Sequence, residues 1–316
     1  DLAFYNNITR NQILDVPMDQ TTGYTKATMN SGKVRNRGIE LQLDGTPVKT
    51  KNFTWNSTFT WAKNYNKVLS LAAGLTDGQT IAYTGGTNCA LIAKVGGSIG
   101  DIYGYKLKRA PDGQVVWKDG ITARTTEFEY VGNAYPAWKA GFSNEFSYKN
   151  FRVSILFDGQ WGGIVYSQTH HKMTEHGTLK HTLKYRENPN FEVVGEGVML
   201  DERGQYVPNN VPISVSKYYA DYWRRANVET NSFDASFLKL REARIEYTIP
   251  SAGLNKIGIE RLTLALYGRN LAMWTKDFPV YDPEVATLNN GTIVPGSEMG
   301  QLPSTRTMGF NLTLKF

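Results

Sequence analysis

Apolar and polar residues alternate along much of this chain. Phe53, Trp55, Phe59 and Trp61 fall on one face of an extended segment, with Thr54, Asn56, Thr58 and Thr60 on the other. The same period of two runs through Trp138, Ala140, Phe142, Phe146 and Tyr148, then through Phe151, Val153, Ile155, Phe157 and Trp161. It returns in Ile39, Leu41 and Leu43, in Ala243, Ile245, Tyr247 and Ile249, in Leu262, Leu264 and Leu266, and in Phe310, Leu312, Leu314 and Phe316. Period two marks a β-strand with one apolar face. Leu238 and Leu240 stand in the opposite phase to 243–249, which predicts a bulge near Arg241.

A soluble sandwich also has strands with one apolar face. Two features favour a membrane barrel instead. The runs 138–148 and 151–161 begin and end on aromatics. Ten steps at roughly 3.3 Å, tilted near 45°, give about 23 Å of height, close to the apolar band of a membrane barrel with its aromatic girdles. The connections are also lopsided. Short turns at Asn150, Gly45–Asn52 and Pro250–Gly258 alternate with long stretches of about 62–135, 166–232 and 272–303. That is the pattern of periplasmic turns and extracellular loops, and a compact soluble domain rarely carries such long structureless loops. The expected fold class is all-β: an antiparallel transmembrane β-barrel to which this chain supplies about seven to nine strands. Counted back from Phe316, seven long strands place residues 1–25 on the extracellular side. A short extra pair near 99–109 would change the count. Seven strands leave an open edge, which hydrocarbon does not tolerate, so the expectation is one part of a larger barrel.

Composition narrows the picture little. The chain has 316 residues, 12% aromatic, with 30 glycines and one cysteine, Cys89, so no internal disulfide forms. No apolar run of about 18 residues predicts a membrane helix. The net charge is +6 with scattered cations, Lys106, Lys108 and Arg109 being the nearest to a cluster. No nucleic-acid partner is expected.

Catalytic chemistry finds no foothold. His170, His171 and His176 with Glu175 have spacings that fit no standard metal-ligand pattern. Glu127 and Glu129 read as a solvated pair, not carboxylates flanking a bond. Nothing orients Cys89 as a nucleophile, and no Walker A or dinucleotide fingerprint occurs. Asn-x-Thr at Asn7, Asn56, Asn290 and Asn311 fits inward polar alternation better than glycosylation, at least for Asn56 and Asn311 inside strands. No catalytic residue, metal or cofactor is expected, and no enzyme. The connections do hold aromatic clusters. Tyr218, Tyr219, Tyr222 and Trp223 precede Arg224 and Arg225, and Trp117 sits among Asp112, Lys118 and Asp119. Rigid aromatics beside hydrogen-bonding groups suit flat sugar faces or peptide side chains. The alternative is packing of loop against loop.

The order of motifs resembles the SusC/RagA family of TonB-dependent outer-membrane transporters of Bacteroidetes. Ser236-Phe237-Leu238-Lys239-Leu240-Arg241, Ile245-Glu246-Tyr247-Thr248-Ile249-Pro250, Gly268-Arg269-Asn270-Leu271, Tyr281-Asp282-Pro283-Glu284, Pro303 and Phe316 follow the family pattern SFLRL…LxYTLP…GxNL…DPE…P…F. Arg35-Asn36-Arg37-Gly38-Ile39-Glu40-Leu41 is similar to its RNxGxE strand, and Gly97-Ser98-Ile99-Gly100, Tyr103-Gly104-Tyr105 and Pro136 follow in order. The pattern departs between Ala110 and Tyr135, where only Asp112-Gly113 and Asp119-Gly120 stand in place of an Asp/Asn/Gly-rich segment.

The resemblance implies a 22-stranded barrel in a lipid bilayer, filled by a plug not contained in this chain. It implies energy from the TonB complex through an N-terminal segment, and a SusD-like surface lipoprotein closing the mouth. The expected function is import of oligosaccharides or peptides across a bacterial outer membrane. Trp117, Tyr218, Tyr219, Tyr222, Trp223, Arg224 and Arg225 are the expected contacts to substrate or lid. Phe310, Leu312, Leu314 and Phe316 are the expected assembly signal. The rival readings are a passive porin or structural barrel, and a secreted all-β glycan-binding protein or hydrolase.

Overall fold

Eight long strands form one antiparallel sheet in the computed structural model, which describes all residues except 12, 18, 19, 25, 31, 72–77, 85, 251–253, 255–257, 285, 286, 290 and 291. They are β1 (Leu2–Arg10), β2 (Lys33–Lys49), β3 (Phe53–Ser70), β4 (Trp138–Tyr148), β5 (Phe151–Trp161), β6 (Phe237–Ile249), β7 (Arg261–Thr275) and β8 (Thr307–Lys315). Each pairs with its neighbour in sequence, so the sheet is a plain meander with β1 and β8 at its edges.

The register keeps each row on one face. One row reads Leu2, Leu41, Trp61, Ala140, Gly159, Leu238 and Trp274. A second reads Trp55, Phe146, Val153, Ile245, Leu266 and Phe310. The opposite face carries Asn56, Glu145, Ser154, Arg244 and Tyr267 in one row. The apolar face lies open: Phe4 is 71% exposed, Leu266 68% and Phe310 78%. Water does not tolerate a patch of that size on a soluble monomer, whereas hydrocarbon does. Asn144 is a polar residue on the apolar face, and it accepts a 2.9 Å hydrogen bond from Trp55 Nε1, which offsets the cost of removing it from water.

The bulge falls where the phase change puts it. Register shifts between Leu240 and Glu242 against both neighbours: Arg241 is the extra residue opposite Leu156–Phe157 of β5, and across from β7 it stands against two residues, Asn270 and Leu271. Two expectations need correction. The long strands number eight, not seven, because Leu2–Arg10 pairs with β2 although its alternation is weak. Residues 1–25 therefore do not start at the loop end of the sheet. Leu2 lies level with Leu41 within the wall, and Arg10, opposite Lys33, reaches the loop end. Asn7, Asn56 and Asn311 all sit in wall strands on the polar face. Asn290 and most of the 250–258 turn lie outside the described residues.

The long connections are not structureless. They emerge from one end of the sheet and fold together into a cap. One contributes strands at 79–84, 89–93, 101–104 and 129–133, which form a four-stranded sheet of their own. Asp101–Gly104 thus belongs to the cap and adds no wall strand. The next contributes two helices, α1 (Gln168–Glu175) and α2 (Val215–Tyr222). Cys89, Leu91, Ile102, Tyr166, Val228 and Val294, drawn from all three connections, make one buried core. The cap meets the wall on its polar face: Val34 and Val68 pack with Ala93, and Asn66 Oδ1 accepts from Ser98 Oγ and the Ile99 N–H.

Candidate functional site in the cap

Helix α2 begins at Ser214, whose hydroxyl accepts the Lys217 N–H and so caps the first turn. Residues four apart share a helix face. Tyr218 and Tyr222 therefore stand together, with ring centroids 5.9 Å apart, and both stack on Trp117 at 6.1 Å. Tyr219 and Trp223 form the next pair at 5.5 Å. The 62–135 and 166–232 connections thus meet at the cluster whose residue types suggest a binding surface.

Trp117 is 2% exposed and donates Nε1–H to the Glu196 carbonyl at 2.9 Å. Gly195 lies flat against its ring: a Cβ there would come within 2.2 Å of ring carbons. Tyr219 is buried and donates its hydroxyl to the His181 carbonyl at 2.8 Å. Tyr218, Tyr222, Trp223 and Arg224 are half-buried, and Arg225 is exposed. Arg224 donates Nη2–H to the Thr122 carbonyl and Nε–H to Asn227 Oδ1. Asp221 accepts from the Thr122 backbone and hydroxyl at 2.7 and 2.8 Å. Half of this cluster is thus the packing that holds the cap, and its open edge is Arg225 with the outer parts of Tyr218, Tyr222 and Trp223.

The histidines support the same core. His170 is 2% exposed and bonds Asn231 Oδ1 at 2.9 Å. Asn231 spends its amide hydrogens on carbonyls, so its Oδ1 accepts and His170 Nδ1 carries the proton. Burial pushes the His170 pKa down to about 4, against the opposing pull of the Asn231 bond. His171 is lowered by burial too, while its bond to the Trp223 carbonyl works the other way. His181 stacks on His170 at 5.3 Å and touches Trp223 at 5.1 Å, and burial lowers it as well. Glu127 and Glu129 are exposed, and burial raises the Cys89 thiol. Among the described residues, no three His, Cys, Asp or Glu side chains converge as metal ligands.

Two buried networks escaped reading by residue type. Glu298, fully buried, accepts from Ser167 Oγ, Thr169 Oγ1 and the Tyr281 hydroxyl, each at 2.5 Å, and from the Gly300 N–H. Burial and this carboxylate together push Tyr281 up to about 12. Lys239 on β6 donates to both Asp282 oxygens at 2.8 and 2.7 Å and to Glu284. Arg241 forks onto Asp158 at 2.7 Å twice and reaches Glu284 at 2.9 Å. Burial alone would raise Asp282, but hydrogen bonds from Lys239, the Glu284 N–H and Ser304 bring it below the usual carboxylate range. The 272–303 connection is thereby fastened to the polar face of the wall. The available signal was charge complementarity between Lys239-Leu240-Arg241 and Asp282-Pro283-Glu284.

No protein-family model matches the chain. It is 29% identical to TonB-dependent receptor P26 of Formosa agariphila, over the whole chain and 32% of that protein. It is 24% identical to TonB-dependent receptor P3 of the same organism, over 99% of the chain and 32% of that protein. TonB-dependent receptor SusC of Bacteroides thetaiotaomicron is 26% identical across 44% of the chain and 15% of its own length. Among solved structures, the RagAB peptide transporter covers the whole chain with a TM-score of 0.69 at 20% identity, the chain matching 33% of it. The chain is thus similar along its whole length to TonB-dependent receptors, and over part of it to SusC. It spans about a third of the length of the relatives it matches. The eight-stranded sheet is accordingly a portion of a larger outer-membrane barrel. Its open apolar face is the lipid-facing wall, and its polar face is the lumen side. The relatives are receptors and transporters by name, not enzymes.

Proposed function

We propose that this chain forms the C-terminal portion of the barrel of an energised importer. Its connections at about 62–135, 166–232 and 272–303 would form the extracellular cap, with the plug lying outside the chain. The whole protein would take up oligosaccharides or peptides, driven by the TonB complex, with a SusD-like lipoprotein as lid. The observation that carries this reading is the alignment of the entire chain, in order, with TonB-dependent receptors. A cap with its own core, fastened to the lumen face, is in keeping with it. The RagAB neighbour is a peptide transporter, and the aromatic edge of the cap suits flat sugar faces, so both substrate classes are tested.

In the substrate or lid role, Tyr218, Tyr222, Trp223, Arg224 and Arg225 present the contact edge, and Trp117 and Tyr219 brace it from behind. Stacked aromatics at a desolvated contact are worth on the order of 1 kcal/mol each. Tyr222→Ala with Trp223→Ala in the full-length protein is expected to weaken ligand or lid binding roughly tenfold, with heat-modifiable folding retained. Parental binding by a folded double variant would leave the cluster with packing alone. Uptake of labelled oligosaccharides and peptides with and without TonB tests the import itself. TonB-independent uptake would favour the passive pore. Phe310, Leu312, Leu314 and Phe316 are assigned to recognition by the insertion machinery, and Phe316→Asp should lower the folded protein recovered from outer membranes.

A further inference from the structure

The lipid-facing columns of β1, β2 and β3 do not stay apolar to their loop ends. On β2 the column Leu43, Leu41, Ile39 continues as Arg37, Arg35 and Lys33. On β3 the column Phe59, Trp61 continues as Lys63, Tyr65 and Lys67. On β1 the same face ends in Arg10. Six cations therefore share one outward face immediately beyond the apolar band.

Their arrangement opposes ordinary sheet energetics. Arg35 stands directly opposite Lys67, and Arg10 directly opposite Lys33. Like charges paired across strands destabilise a sheet. Among the described residues, none of the six enters an ion pair, and no carboxylate shares their face between positions 33 and 43. Arg37 and Lys63 both lie over the Tyr65 ring, at 5.9 and 4.8 Å from its centroid. Arg35 Nε is buried without a hydrogen-bond partner. Phe4, Asn6, Arg35, Arg37, Ile39 and Tyr65 line a hollow in this surface.

We infer that this face binds the phosphorylated head group of an outer-leaflet lipid. Bound phosphate would relieve both like-charge pairs, and the outer guanidinium nitrogens of Arg35 and Arg37 suit phosphate oxygens. The apolar band directly below would receive the acyl chains of the same molecule, which selects a lipid over a soluble phosphate. The site depends on the cap end facing outward, as proposed above. Its readout is lipid binding, so it can fail while import stands, and the reverse.

The test uses the full-length protein in detergent, with lipid retention followed by native mass spectrometry. The probes are bisphosphorylated lipid A, the same lipid dephosphorylated, and inorganic phosphate. Retention of the phosphorylated lipid is expected, and Arg35→Gln, Arg37→Gln, Lys63→Gln and Lys67→Gln together should lower affinity roughly tenfold or more. Equal retention of the dephosphorylated lipid, or unchanged affinity in the variant, would overturn the assignment. Displacement by inorganic phosphate alone at comparable concentration would overturn the lipid part. If the quadruple variant does not assemble, Arg35→Gln with Lys67→Gln carries the same measurement.

Discussion

Lys239 is almost wholly removed from water, and its charge is matched by Asp282 and Glu284. Removing one member of such a pair strands the other, which typically costs about 3–5 kcal/mol, whereas replacing both with apolar groups can be nearly neutral. Asp282→Ala should therefore loosen the 272–303 connection while the wall stays assembled. Limited proteolysis should cut there faster, with heat-modifiability unchanged. Lys239→Met with Asp282→Leu should restore much of the resistance. If Asp282→Ala leaves proteolysis at the parental rate, the bridge does not hold the cap. Arg241 differs in kind: it is the bulged residue, and the bulge directs it toward Asp158 and Glu284. A sequence shows the phase change at Leu240 but not the carboxylate 43 positions downstream that answers it.

Helices, hairpins and short strands of the cap act as a unit, because α2 takes partners from the 62–135 connection and α1 from the 272–303 connection. That made the cap harder to read than the wall. Its strands are two to six residues long, too short for alternation to stand out, and its core is shared among segments far apart in sequence. The aromatic run at 218–223 was visible, but nothing local said that Trp117 and His181 would pack against it. The histidines give this unit a pH dependence. His170 titrates near 4 when folded, well below its ordinary value of 6.5, so the fold favours the neutral ring. The stability it contributes is complete above 6.5 and is lost as pH falls through that window toward 4. For His170 the loss is on the order of 3 kcal/mol, with His171 and His181 acting in the same direction. Corrected for the slower intrinsic amide exchange in acid, the protection factors of α1 and α2 should fall between pH 7 and pH 5 while those of the wall strands stay unchanged. His170→Gln, which still offers Asn231 a donor, should flatten that response. A cap equally protected at both pH values would show that the rings protonate without penalty.

Across the whole molecule, what the sequence made legible was whatever repeats. The face of every long strand with clear alternation followed from period two, and so did the bulge, because a change of phase can be counted. β1 was missed since Leu2, Phe4 and Ile8 share their face with Asn6 and Arg10. The register adds what alternation alone could not: the apolar faces of all eight strands coincide. Trp55, Phe142, Ile155, Leu264 and Leu312 occupy one face, and Asn56, Ser143, Ser154, Thr263 and Thr313 the other. A slip of one residue in any strand would exchange its two sets. Single cysteines at the second set, in a protein whose buried Cys89 is replaced by Ala, should react with a membrane-impermeant maleimide that enters the lumen. Those at the first set should react only with a lipid-soluble reagent. A strand whose labelling is inverted would have its register shifted by one, and inversion in every strand would turn the wall inside out and end the barrel assignment. The β6 pair Leu238 and Ala243 makes the sharpest case. They are five residues apart, which a regular strand would place on opposite faces, yet the bulge at Arg241 puts both toward lipid. Both should be spared by the impermeant reagent, and labelling of either one alone would mean that the bulge is absent in the membrane.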